Sequence, residues 1–303
     1  MRFSIWPNLA QPWTDVVDEA RHAEATGWDG VYVADHFMGD AGGFGPVETP
    51  MLEATAALAG LAMATERVRL GSLVFGGTYR HPAVLANWAA TVDRMSNGRL
   101  VLGVGAGWQE NEHAQYGIDL LAVGNRVSRF EEMCDVMNQL LRRERASFDG
   151  RWFRLDEAVC EPKPVQQPLP LLIGGKGDRM LAITARYADE WNMWSLPDTI
   201  SERSAALDRH CEGIGRDPAE IKRSTQALVH FTDDAAAAAR FIENVAPRAA
   251  VAGGSAELAE AVEGWRAAGV DEVIVPDFVL GHGSARSDHM DRIIEEVAPQ
   301  FRP

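Results

Sequence analysis

The chain has 303 residues, 46% of them hydrophobic, with 29 lysines and arginines against 44 aspartates and glutamates, a net charge of −15. That length buries a sizeable core, and so large an acidic excess repels nucleic acid and anionic membranes; an anionic ligand needs a local nest of backbone N–H groups. Cys134, Cys160 and Cys211 are scattered without a C-x-x-C pair, which argues against a zinc ribbon or a redox pair and suits a reducing, cytoplasmic setting.

Along the chain, short apolar runs alternate with helical patterns. Phe3–Trp6 reads as a first strand, followed by a helix over Asp15–Thr26 with Val16, Val17, Ala20 and Ala23 at helical spacing. Asp15, Asp18 and Glu19 come too early for a secretory leader, and no apolar run is long enough to cross a bilayer. Gly30–Ala34 is a second strand. Thr49-Pro50 reads as an N-cap and first-turn proline for a helix through Ala64. Val68–Phe75 is a third strand, Pro82 opens a helix, and Leu100–Val104 is a fourth strand. From about Asn125 to Arg142, Val127, Phe130, Cys134, Met137 and Leu141 form one buried stripe. Residues 148–170 break the rhythm with an Asp149-Gly150 hairpin signal and four prolines, an excursion at about 145–170.

The alternation then resumes. Leu171–Gly174, Glu190–Trp194, Ser224–Phe231 and Val270–Pro276 read as strands five to eight. Helices fall at Asp178–Tyr187, Glu202–Cys211, Ala235–Ala246, Ala256–Ala268 and Asp288–Val297. Strands apolar on both faces, alternating with helices, imply a parallel sheet covered on both sides. Eight units predict an α/β fold, one (β/α)₈ TIM barrel with insertions over residues 1–303, with chemistry at the C-terminal strand ends. An open doubly wound sheet is the alternative.

Residues just past the strands therefore matter most. Asp35 and His36 follow strand two, and a histidine there either exchanges protons near neutral pH or braces the rim. Gly174-Gly175-Lys176-Gly177, between a strand and a helix, is either a tight turn or a cradle for an anion. Its spacing is not that of a P-loop, and Gly103-Val104-Gly105-Ala106-Gly107 lacks the last glycine of a dinucleotide fingerprint. No H-x-H, H-E-x-x-H or G-x-S-x-G occurs, so no metal site is expected and no serine-hydrolase elbow is present. Of nine tryptophans, Trp108, Trp191 and Trp194 stand where they could wall a planar ligand.

Several stretches resemble signatures of the luciferase-like monooxygenase family. They are Ala34-Asp35-His36, Leu70-Gly71-Ser72-Leu73-Val74, Tyr79-Arg80-His81-Pro82, Gly103 through Trp108, Leu172-Ile173-Gly174-Gly175, Ala188 through Asn192, and Gly269 through Val273. Phe148-Asp149-Gly150 through Cys160-Glu161-Pro162-Lys163-Pro164 resembles the deazaflavin-dependent actinobacterial branch. The resemblance implies a barrel, usually dimeric, binding coenzyme F420 or, alternatively, FMN across the strand ends. By it, Asp35 and Ser72 approach the ring, Ser72-Leu73 matches a non-proline cis peptide, and Leu73, Ala106, Gly107 and Asn111 line the cofactor. Gly174, Gly175, Lys176 and Gly177 match the phosphate loop, and His36 matches a catalytic histidine. Lys176 and Arg179 could meet an acidic cofactor tail. Trp108 stands where the sugar-phosphate branch has a glutamate, which points away from a sugar phosphate and toward a neutral organic substrate.

The expected function is F420-dependent hydride transfer to or from a small organic molecule. The alternatives are an FMN-dependent monooxygenase using reduced flavin and oxygen, and a cofactor-binding protein without turnover.

Overall fold

In the first strand, β1 (Arg2–Trp6), successive side chains face opposite ways, and both sides are buried. Phe3 and Ile5 pack outward among apolar helix residues, while Ser4 and Trp6 face the inside of a closed sheet. In the computed structural model, which describes residues 1–302, this pattern recurs around a barrel. After β1 come α1 (Trp13–Thr26), β2 (Gly30–Val33), α2 (Ala54–Ala64), β3 (Arg69–Ser72), β4 (Phe75–Gly76), α3 (Pro82–Met95) and β5 (Leu100–Gly105). Then follow α4 (Glu110–Tyr116), α5 (Val123–Arg142), β6 (Ala146–Asp149), β7 (Arg154–Ala158), β8 (Leu171–Gly174), α6 (Asp178–Tyr187), β9 (Glu190–Trp194) and α7 (Pro197–Gly213). The chain ends through β10 (Lys222–Gln226), β11 (Leu228–Phe231), α8 (Ala235–Val245), β12 (Ala250–Gly253), α9 (Ser255–Ala267), β13 (Glu272–Pro276) and α10 (Ser284–Arg292).

Parallel pairing runs β3-β2-β1-β13-β10-β9-β8-β5, and β3 pairs again with β5 through Leu70–Leu100 and Gly71–Val101. The sheet is thereby closed, an eight-stranded α/β barrel with helices around it, and the open-sheet alternative is excluded. No helix is long and apolar enough to cross a membrane among the described residues. The α5 stripe is buried as its spacing required. The hairpin at Asp149-Gly150 is β6–β7, an antiparallel pair outside the barrel.

The barrel interior is layered. At its N-terminal end Glu272 accepts from Ser4 Oγ at 2.5 Å and pairs with Arg2 and Arg69 at 3.0 and 3.1 Å, while Arg69 also holds Glu190. Above this charged floor lie Tyr32, Val101, Leu172 and Ile274, with Trp6 and Leu73 in the same cluster. Gly71 makes room for Tyr32, since a Cβ there would stand 2.3 Å from its ring.

Several features differ from the sequence reading: α7 begins at Pro197 and not at Glu202, and the third strand divides into β3 and β4. Helix α2 begins at Ala54, not at Thr49-Pro50. Glu53 is its cap, accepting the Ala56 N–H at 2.8 Å, and the Leu52 N–H is tied to Leu9 O, holding the segment before it out of the helix. The seventh strand splits at Ala227: β10 stays in the barrel, while β11 leaves it to pair with β12, an alanine- and glycine-rich strand of weak intrinsic preference. The last helix starts earlier, at Ser284. The cis peptide is Leu73–Val74 and not Ser72–Leu73. The Leu73 N–H still donates to Val33 O at 2.7 Å, so the chain leaves the ladder with β2 only after Leu73, before Phe75 and Gly76 pair with β5.

Candidate active site

His36 lies three residues beyond the Gly-Val-Tyr-Val of β2, at the mouth of the barrel, and is buried. Its partner comes from α4, where Glu112 and His113 are the buried residues. Glu112 Oε1 meets His36 Nδ1 at 2.9 Å, and its Oε2 accepts the Phe37 N–H at 2.8 Å. The Tyr79 hydroxyl donates to the same Oε1. Burial alone would raise the Glu112 carboxyl, but these bonds from His36, Phe37 and Tyr79 outweigh it and hold the group below the usual carboxylate range. The Tyr79 phenol is pushed well above its ordinary value, first by burial and then by Glu112, so it keeps its proton and donates. With Nδ1 serving the carboxylate, Nε2 is the free ring nitrogen of His36, and it belongs to a side chain that lines a cavity.

That cavity holds about 360 Å³. It is framed by aromatic rings: Trp108 and Phe44 lie 5.4 and 4.9 Å from the His36 ring, and Trp6 lies 5.1 Å from Phe278 and 5.9 Å from Trp194. A second cavity of about 270 Å³ reaches Gly174, Gly175 and Lys176. The two share Leu73, Val74, Trp194 and Gln226 as walls, so one groove crosses the strand ends from His36 to the β8–α6 turn.

The residues named from the sequence fall into two groups. His36, Asp35, Leu73, Gly107, Gly174, Gly175 and Lys176 all border the groove. Ser72, Ala106 and Asn111 stand behind that lining, while Gly177 is exposed beside it as the residue before α6. The Ser72 hydroxyl is wholly buried and donates to Gly103 O at 2.7 Å, and Asn111 Nδ2 donates to Gly39 O at 2.8 Å, bracing the loop before α2. Asp35 borders the groove, but its carboxylate is engaged elsewhere. Arg80 grips it with both nitrogens at 2.7 and 2.9 Å, and the Gly76 N–H adds a third bond at 2.9 Å. Burial raises the Asp35 carboxyl and Arg80 opposes this, so Asp35 ties β4 and the segment after it to the end of β2. Sequence reasoning passed over Glu112, Tyr79, Gln226 and Arg248. Glu112 sits in a short, charged segment without an apolar period, and nothing local marked Gln226 or Arg248.

The model of the luciferase-like monooxygenase family matches residues 1–295. The chain belongs to that family. Among the luciferase-like relatives, the F420-dependent glucose-6-phosphate dehydrogenase of Kineococcus radiotolerans is 29% identical over 95% of this chain and 93% of its own. The enzyme of the same name from Nakamurella multipartita is 35% identical over 73% of this chain and 65% of its own length. Among solved luciferase-like structures, an F420-dependent secondary alcohol dehydrogenase in complex with an F420-acetone adduct has a TM-score of 0.86 at 21% identity. It covers 100% of this chain and 99% of its own. EDTA monooxygenase from a Chelativorans species has a TM-score of 0.84 at 13% identity, over 99% of this chain and 94% of its own. At these identities the structures speak for the shared barrel.

Proposed function

We propose that the protein is an F420-dependent oxidoreductase that moves a hydride between the deazaflavin and a small organic substrate. One observation carries the reading: the His36–Glu112 pair opens onto a groove that ends at an uncapped helix N-terminus. No side chain caps α6, and the Lys176 and Gly177 amides have no partner in the described chain. Lys176 stands beside them, so a phosphate there meets free N–H groups, the helix dipole and a cation. Midway, the buried Gln226 Oε1 also lacks a partner, a group a bound ring system could satisfy. The residues therefore fit the cofactor: Gly174, Gly175, Lys176 and Gly177 would hold its phosphate, and Leu73, Val74, Trp194 and Gln226 its rings.

When bound, F420 supplies or accepts the hydride. The chain's own task is the proton. Glu112 fixes the His36 ring, and Nε2 takes a proton from a substrate hydroxyl, or returns it, on the side where the aromatic rings thin the water. A proton-transfer pair of this kind separates the reading from binding without turnover. The cations support F420 over FMN, though only one of them is free. Arg179 is tied to Gly124 O and Ser128, whereas Lys176 remains available to the acidic tail that FMN lacks.

Side-by-side equilibrium titration tests this. F420 is expected to bind at micromolar or lower concentration and FMN at least tenfold more weakly, a gap of about 1.4 kcal/mol. In a second titration, Lys176→Glu should narrow that gap by weakening F420 more than FMN. Preferential FMN binding, with oxygen consumed on adding reduced flavin, would establish the monooxygenase reading instead.

A further inference from the structure

Arg248 is a wall of the same cavity as His36, brought there by the turn leading into β12. Most arginines near the mouth are spoken for: Arg80 by Asp35 and Glu53, Arg286 by Glu19 and Asp277, Arg240 by Asp234. Arg248 has no ion pair or side-chain hydrogen bond among the described residues. Its guanidinium lies against Gly43, where a Cβ would fall 1.4 Å from its nearest nitrogen. The acid of that facing loop, Asp40, is spent on its own turn, accepting from the Gly42 and Phe44 N–H groups at 2.9 and 2.8 Å. The other carboxylates at this end are also answered, Asp35 by Arg80 and Glu112 by His36 and Tyr79. In a chain of net charge −15, the substrate end of the groove thus keeps one uncompensated, solvent-exposed cation at the edge of an aromatic frame.

We propose that the substrate is a monoanionic, largely apolar or aromatic carboxylic acid whose carboxylate is received by Arg248. The inference rests on the reading of the groove as an active site and adds the substrate class to it. A guanidinium matches a carboxylate with two parallel bonds, and Trp6, Phe44, Trp108, Trp194 and Phe278 match an apolar body. A sugar phosphate would bring two charges and several hydroxyls to one cation and five rings, leaving most of its polar groups unanswered. The neutral substrate suggested by the sequence is replaced by a singly charged one, and the two ends of the groove divide the anions: cofactor phosphate at Lys176, substrate carboxylate at Arg248.

The test uses 3-phenylpropanoate, its uncharged amide and glucose 6-phosphate as probes, titrated calorimetrically into the full chain with and without F420. The acid should bind the wild type at least ~10-fold more tightly than the amide. Arg248→Met should erase that preference and leave F420 affinity unchanged. Gly43→Ala, which displaces only the flexible end of Arg248, should reduce the preference in a folded protein. Equal binding of acid and amide, a preference that survives Arg248→Met, tighter binding of glucose 6-phosphate, or no binding of the acid would each overturn the proposal. A wild type that binds no F420 yet prefers the acid would instead overturn the cofactor reading and leave the carboxylate site standing.

Discussion

Replacing His36 with asparagine is expected to lower turnover by ~10²-fold or more while leaving cofactor affinity and fold intact. Asparagine keeps a polar group near Glu112 but offers no nitrogen that cycles its proton. The histidine is small, and its one strong bond, to Glu112, is a contact asparagine can partly remake. Glu112→Gln should act in the same direction, because a neutral amide no longer holds the ring by charge. The double variant should cost little more than His36→Asn alone, as expected of groups that act as a unit. Single-turnover reduction of the bound deazaflavin separates this from weakened binding. Survival of turnover within a few-fold would make His36 a rim brace.

Arg80→Met should have the largest effect on stability. The Asp35 side chain is fully buried, and Arg80 is the one residue that forms an ion pair with it among the described residues. Without the guanidinium, a carboxylate remains in an apolar environment with one backbone N–H, a situation that typically costs 3–5 kcal/mol. The sign of the pH dependence follows. Burial already raises the Asp35 carboxyl, and removing Arg80 raises it further. A carboxyl whose folded-state value lies above its unfolded value of about 3.9 destabilises the fold as it ionises. The deficit relative to wild type is therefore greatest at neutral pH and shrinks as the pH falls toward that value. Urea midpoints at pH 7 and pH 5 measure it. A loss below about 1 kcal/mol at pH 7, or one that grows on acidification, would show that Asp35 does not depend on Arg80.

The sequence was most informative where local chemistry punctuates the chain. Leu171–Gly174, Asp178–Tyr187 and Glu190–Trp194 emerge with the boundaries read from sequence, because proline, glycine and aspartate mark where each begins or ends. Helix α4 was missed because it is short and charged, with no apolar period to detect. Strand β12 was missed because Ala-Val-Ala-Gly carries little β preference and is held by its pairing with β11. The same distinction governs the site. His36 was legible from its place after a strand. Glu112 is 76 residues away, and its role exists only once the barrel brings α4 over β2. Arg248 reaches the mouth through a strand pair that departs from the barrel, which no local pattern announces.

The charged floor of the barrel has a consequence for the order of events in a catalytic cycle. Arg2, Arg69, Glu190 and Glu272 fill the N-terminal end of the barrel, so ligands reach the groove from the C-terminal strand ends. Ligands at the two ends of the groove would lie side by side across Leu73, Val74 and Trp194. The ligand seated first becomes part of the wall that the second one meets.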